Sequence, residues 1–314
     1  MKSLNQICSL LSEGFLRQVS PKAANWRACF RVALAICLAS FGSPDVAVAV
    51  QLKPEAVAAF DRYVQLSEAE MSPETASEAG FLFFEREPYS RQGEAMASLR
   101  HGVIEISKLE TRDPRGPIAV PGGMIHDWVA AVFIPGVTLA QTLALEEDYD
   151  HHAEIFRPDV MRSKILSHDG DSFSVYFRLH KKKIITSILD TDHDVKYHVI
   201  DDTHATSRSH TMRIQEVENA GERSEYLKPL GNDSGFLWRM NTYWRFEEKD
   251  GGTYVECRSI SLTRDIPAGL EWAIGHYVMS IPLESLQFTL GTTRKALTGA
   301  TAPRAAAGAE SSQQ

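Results

Sequence analysis

The sequence predicts an α+β fold, a curved antiparallel sheet of about seven strands around a long C-terminal helix, with an N-terminal helical extension. Three observations carry that reading. An aromatic-rich alternating run, Gly235 to Phe246, meets a second alternating run from Tyr254 to Thr263 across Asp250-Gly251-Gly252. Glycine there accepts the positive φ angles of a tight hairpin. From Leu270 to Leu297 the apolar period changes to helical spacing, and between 161 and 217 the chain alternates strand and turn signals.

Taken in order, residues 1–49 read as a signal peptide. Lys22, Arg27 and Arg31 precede the apolar run Val32–Phe41, and Ala47-Val48-Ala49 has the small-x-small form of a signal-peptidase site. The apolar run is shorter than the roughly 20 residues that span a bilayer. Cleavage after Ala49 gives an exported protein, periplasmic or secreted. An uncleaved anchor is the alternative. Of Cys8, Cys29, Cys37 and Cys257, only the last survives that cut, so no internal disulfide is available.

Residues 50–117 form the helical extension. Pro54 suits a first helical turn, and Val57, Phe60 and Val64 recur on one face up to Glu70. Pro88 to Arg100 is a second helix, closed by Gly102. The main domain spans 118–297. It opens with a strand over Met124–Ile134, then Thr138-Leu-Ala-Gln141 caps a helical segment reaching about Phe156. Strands follow at Met161–Ser167, Phe173–His180, Ile184–Val199 and Thr203–Val217, then the hairpin. Pro282 predicts a break, with Ser280 capping a new helix after a shorter one at Leu270–Met279. Residues 298–314 read as a disordered, low-complexity tail.

This order, with His126-Asp-Trp128, Glu147-Asp148-Tyr149, Phe156-Arg-Pro158, Ser261–Pro267 and Ile281–Leu286, resembles the helix-grip, START-like or SRPBCC superfamily. That superfamily includes Bet v 1-type carriers, polyketide cyclases and coenzyme Q-binding proteins. The resemblance implies an internal cavity for a hydrophobic small molecule and leaves activity open, because the scaffold hosts carriers, enzymes and regulators.

A formal charge of −8 argues against a nucleic-acid partner. The expected partner is a hydrophobic or amphipathic small molecule (lipid, quinone or polyketide-like), with transient membrane contact as a secondary expectation and no cofactor. If Asp250-Gly251 is the turn, Trp244 faces Cys257 and Arg245 faces Glu256. Trp238, Met240 and Trp244 then share a face with Cys257 and Ser259, and wide aromatics opposite small residues line a cavity without collapsing it. Trp128, Trp272 and Tyr277 complete the expected ligand-binding set. Arg239, Asn241, Tyr243, Arg245, Glu256 and Arg258 fall on the other face, read as solvated cross-strand charge. A one-residue bulge would exchange the faces.

No metal is expected: Asp148/His152 and Asp192-His193-Asp194 do not make three convergent ligands, and Ser167-His168-Asp169 is a consecutive turn rather than a triad. The enzymatic alternative is a cyclase- or dehydratase-like activity using His126, Arg208 and His210 as acid–base and carbonyl-polarising groups. A third reading is an envelope structural protein whose cavity is filled by its own side chains.

Overall fold

The computed structural model describes residues 50–71, 80–86, 89–182, 186–266, 269 and 271–301. The expected signal peptide lies outside the described residues, as does the tail beyond Thr301. The elements are β1 (Val50–Gln51), α1 (Pro54–Glu70), α2 (Tyr89–Arg100), β2 (Glu105–Lys108), β3 (Gly123–Pro135), α3 (Leu139–Glu146) and α4 (His152–Ile155). There follow β4 (Val160–Asp169), β5 (Ser172–Lys182), β6 (Thr186–Val199), β7 (His204–Glu218), β8 (Tyr226–Leu227), β9 (Asn232–Asp233), β10 (Arg239–Lys249), β11 (Gly252–Arg264) and α5 (Glu271–Thr301).

The main sheet runs β2-β3-β11-β10-β7-β6-β5-β4, with the short β8 added to β7. Every pairing is antiparallel. Two more strands are present than expected, because β2, part of the extension, pairs with β3 at the sheet edge and β8 joins β7. The β10–β11 register matches expectation: Trp244 pairs with Cys257 and Arg245 with Glu256. The turn itself has φ of 57° at Asp250 and 75° at Gly251, the left-handed pair of a tight hairpin. Gly252 cannot be larger, since a Cβ there would lie 2.4 Å from the Ile134 carbonyl oxygen.

Both faces of the sheet are covered. On the concave face, Leu286, Leu290 and Leu297 of α5 pack into a cluster with Ala130, Val132, Phe246, Val255 and Cys257. On the convex face, Phe60, Tyr63 and Val64 of α1 cover Ile260 and Leu262. Leu82, Phe84, Met96 and Leu99 cover Val129, Ala131, Phe133 and Tyr254. Burial on both sides explains why β3 reads as an almost unbroken apolar run rather than an alternating one. A helix gripped by a curved antiparallel sheet is the helix-grip architecture expected from the sequence.

Two expectations are corrected. The last helix does not restart at Ser280: α5 is continuous from Glu271 to Thr301 with Pro282 inside it. Proline removes one backbone donor from the helix ladder, and the helix persists because its apolar side is held by the sheet over several turns. The polar face of the hairpin is not solvated. Glu256 is 2 % exposed and Arg258 8 %, because the extension lies over them.

That second correction reveals a buried ionic staple. The Arg258 guanidinium donates to both carboxylate oxygens of Asp127, at 2.9 and 2.6 Å, and also to Thr111 and Ser67. Tyr63 donates its hydroxyl proton to Asp127 at 2.9 Å and accepts the Thr111 backbone N–H at 2.7 Å. Burial and the neighbouring carboxylate push the Tyr63 phenol up to about 12. Residues from α1, β3 and β11 are thereby tied together. Alongside, Glu256 accepts from Arg245 at 3.4 Å and from the Phe83 backbone at 2.7 Å.

Candidate functional site

The strand register sorts the concave face into transverse rows. The first, Val132–Val255–Phe246–Ala205, is buried and filled by packing. Next comes Ala130–Cys257–Trp244–Ser207–Tyr197. A third row, Trp128–Ser259–Thr242–Ser209–Val195, is different: its first four members are only half-buried. In the fourth, His126 pairs with Ser261, Ser261 with Met240, and Thr211 with His193. Small hydroxyl side chains therefore form an accessible floor between a packed apolar end and two buried histidines.

Beyond the fourth row, at the opposite end from the packed one, lies a pocket of about 170 Å³. Phe236, Ile281, Ser285 and Phe288 line it with Asp159 and Lys181. The Lys181 ammonium bridges Asp159 and the Ser285 hydroxyl, the latter at 3.0 Å, so β5 is tied to α5 at this mouth.

The two histidines are electrostatically alike and differ in their partners. Burial pulls each down to about 4, with the Lys108 ammonium adding to the effect at His126. His193 is satisfied at both nitrogens. Thr191 donates its hydroxyl proton to the Phe177 carbonyl, so its oxygen accepts from His193 Nε2–H at 2.9 Å. Ser209 then donates to Nδ1 at 3.3 Å. His126 Nε2 meets Thr263 Oγ1 at 3.0 Å, but its Nδ1 has no partner. The indole N–H of Trp128 is also buried without a partner.

A third buried group lies at the packed end. Glu146 is 6 % exposed, with no cation beside it among the described residues, and burial pushes its carboxyl up to about 7 against a bond from Thr293 at 3.2 Å. Tyr149 donates to Tyr197 at 2.8 Å, and Tyr197 to the Glu146 carbonyl at 3.2 Å. The one sequence signal for Glu146 is its phase: it falls on the buried side of α3 with Leu139 and Thr142. His193 and Glu146 were absent from the expected site. Nothing in a local pattern distinguishes a buried charged side chain from a solvated one.

Of the expected ligand-binding residues, Trp128, Met240, Trp244, Cys257 and Ser259 do share the concave face. Trp238 does not. It lies one residue before β10 starts, where strict alternation no longer applies, and it packs on the convex side with Phe60, Ile260 and Leu262. Its indole N–H donates to Asp233 at 3.0 Å. Trp272 is 88 % exposed near the start of α5 and lines no wall. Tyr277 lies on α5, and its side chain is outside the described residues.

The expected catalytic trio does not assemble. His126 is concave, whereas Arg208 pairs across β7–β10 with Tyr243 on the convex face and is exposed. His210, on that same convex face, holds Glu68 of α1 at 3.2 Å. The sheet separates these two from His126. Asp148 bonds His151 at 2.6 Å, while His152 is buried against Tyr149 and Phe156. Among the described residues no group of three or more His, Cys, Asp or Glu could hold a metal ion.

No protein-family model matches the chain, and no curated protein matches it either. Among solved structures, it is similar to a STAR-related lipid transfer protein from Xanthomonas axonopodis at 16 % identity and TM-score 0.39, over 62 % of this chain and 98 % of that one. It is also similar to the Zhui aromatase/cyclase from Streptomyces at 12 % identity and TM-score 0.38, over 59 % and 99 % of the two chains. Human STARD10 matches at 8 % identity and TM-score 0.37, over 71 % and 84 %.

Proposed function

We propose that this protein binds or carries a hydrophobic or amphipathic small molecule, of lipid, quinone or polyketide-like character, in the groove between its sheet and α5. The observation that carries the reading is the half-buried hydroxyl floor of Ser259, Thr242 and Ser209, flanked by Trp128, Trp244 and Met240 and leading towards the pocket mouth. At about 170 Å³ the pocket alone is small. Sites for drug-sized ligands run to roughly 300–1,000 Å³. The ligand therefore extends from the mouth along the floor, and the packed rows beyond it set a limit on its length. Export, with residues 1–49 removed, remains part of the proposal, and transient membrane contact would serve loading and release.

Displacement of the neutral dye N-phenyl-1-naphthylamine tests the groove. Ser259→Phe is expected to weaken dye binding at least tenfold while costing about 1–3 kcal/mol of stability, the usual range for overpacking. Arg208→Ala, exposed on the other face, should leave both unchanged. Equal dye affinity in Ser259→Phe and wild type would place the ligand elsewhere. Native mass spectrometry of protein from its own host should reveal a co-purified small molecule. The intact mass of the same material should lack Met1–Ala49, and its retention in a soluble cytosolic fraction would remove the export proposal.

A further inference from the structure

The groove reading says little about the ligand's polar end, and two unpartnered atoms on β3 are informative about it. His126 and Trp128 are two apart on one strand, so their side chains leave the same face. His126 is 1 % exposed, and both its Nδ1 and the Trp128 indole nitrogen are buried without a hydrogen-bond partner. Native proteins rarely leave such atoms unpaired, because each forfeits its bonds to water without replacement. Here two belong to residues two apart on one strand face, next to the accessible part of the concave face: Trp128 pairs with half-buried Ser259.

The tautomer of His126 can be assigned from its neighbours. Thr263 has one hydroxyl proton, and it donates that proton to the Arg264 carbonyl at 3.1 Å. With that proton so placed, its oxygen is the acceptor in the 3.0 Å contact with His126 Nε2, and the imidazole carries its hydrogen there. A neutral imidazole protonated at Nε2 presents a bare lone pair at Nδ1. Burial and the charge of Lys108, whose residue pairs with Trp128 across β2–β3, both oppose a second proton there. His193 provides the contrast. It has the same tautomer on the same face, but Ser209 fills its Nδ1. The unpartnered Nδ1 of His126 is thus not a general feature of histidines on this sheet.

Resting on the groove reading, we infer that His126 Nδ1 and Trp128 Nε1–H form an acceptor–donor pair that anchors a neutral hydroxyl at the polar end of an otherwise apolar ligand. One hydroxyl satisfies both atoms, donating its proton to His126 and accepting from the indole. A carboxylate cannot do this, since it brings no proton and sets negative charge against a lone pair. An ether or ester oxygen accepts from Trp128 but leaves His126 unfilled. Both side chains are positioned by backbone pairing along β3, so the anchor is built into a rigid strand rather than a loop.

The test compares 1-decanol with decyl methyl ether as displacers of N-phenyl-1-naphthylamine from the full chain. The alcohol-to-ether affinity ratio should fall about tenfold from wild type to His126→Leu, the loss of one buried hydrogen bond. Trp128→Phe should weaken both displacers together and leave the ratio unchanged, since both oxygens accept from the indole. Wild-type protein labelled with ¹⁵N supplies a readout independent of variant folding: the His126 Nδ1 signal should shift on adding 1-decanol and stay fixed with the ether. A ratio unaffected by His126→Leu, or an Nδ1 signal that already reports a bonded nitrogen and ignores 1-decanol (a resident water), overturns the anchor while leaving the groove intact. Failure of both displacers to compete with bound dye, or of the dye to bind at all, removes the groove reading and the anchor with it.

Discussion

Arg258→Met is expected to destabilise the protein by about 3–5 kcal/mol, the cost of stranding a buried charge when its partner is removed. Asp127 is 1 % exposed and receives two guanidinium bonds. Without them its carboxylate keeps only the Tyr63 hydroxyl among its present side-chain partners. The same substitution removes the guanidinium donor shared by Ser67 and Thr111, so α1 should lose protection from amide hydrogen exchange before the sheet does. The double variant Asp127→Leu/Arg258→Met should recover most of the loss, because a buried ion pair replaced whole by apolar side chains is often close to neutral. Denaturant unfolding of the single and double variants decides the matter. A single-variant loss below about 1 kcal/mol, the scale of a surface bridge, would show that water reaches the pair.

Stability is expected to fall steeply on the acid side of neutrality. His126, His152 and His193 are each drawn down to about 4 by burial, from an ordinary value of 6.5. A depressed pKa means that the unfolded chain takes up the proton first, so the contribution is present above 6.5 and is lost as the pH falls towards 4. At about 1.4 kcal/mol per pH unit, each histidine contributes on the order of 3 kcal/mol, and the three together rival the roughly 5–15 kcal/mol stability of a whole protein. Glu146 acts in the opposite sense. Its carboxyl is raised from 4.5 to about 7, so the folded state holds its proton longer, and stability is lost as the pH rises through 7. From these four groups stability rises up to about pH 7 and levels off above it, and unfolding near pH 5 takes up about two protons net. Glu146→Gln removes the opposing term and should raise that uptake to between two and three protons. Denaturant unfolding measured from pH 4 to 8 gives the slope directly. Net uptake of less than one proton near pH 5 would mean that the histidines are hydrated in the folded state.

What the sequence determined by itself is local. The tight turn at Asp250-Gly251 needs left-handed backbone and a glycine, and with the turn in place every pair of β10 and β11 follows, including Trp244 with Cys257. The capping box at Thr138 forms as its spacing implies, with Gln141 Oε1 accepting the Thr138 N–H at 3.0 Å. Alternation along Phe173, Val175, Phe177 and Leu179 put those side chains on one face, because strand geometry offers only two. Five of the eight expected binding residues were legible on the concave face for that reason. Which groups lose contact with water depends on what covers a face, and no periodicity reports that. Only the tertiary structure laid α1 over Asp127 and Arg258, turning apparent surface charge into a buried pair. It alone placed Trp238 just before the start of β10 and on the convex side, and left Trp272 in solvent. The carboxyl of Glu146 and the open nitrogen of His126 belong to the same class. Their protonation and unmet hydrogen bonds arise from neighbours distant in the chain, brought near by strand pairing and the grip of the sheet on α5.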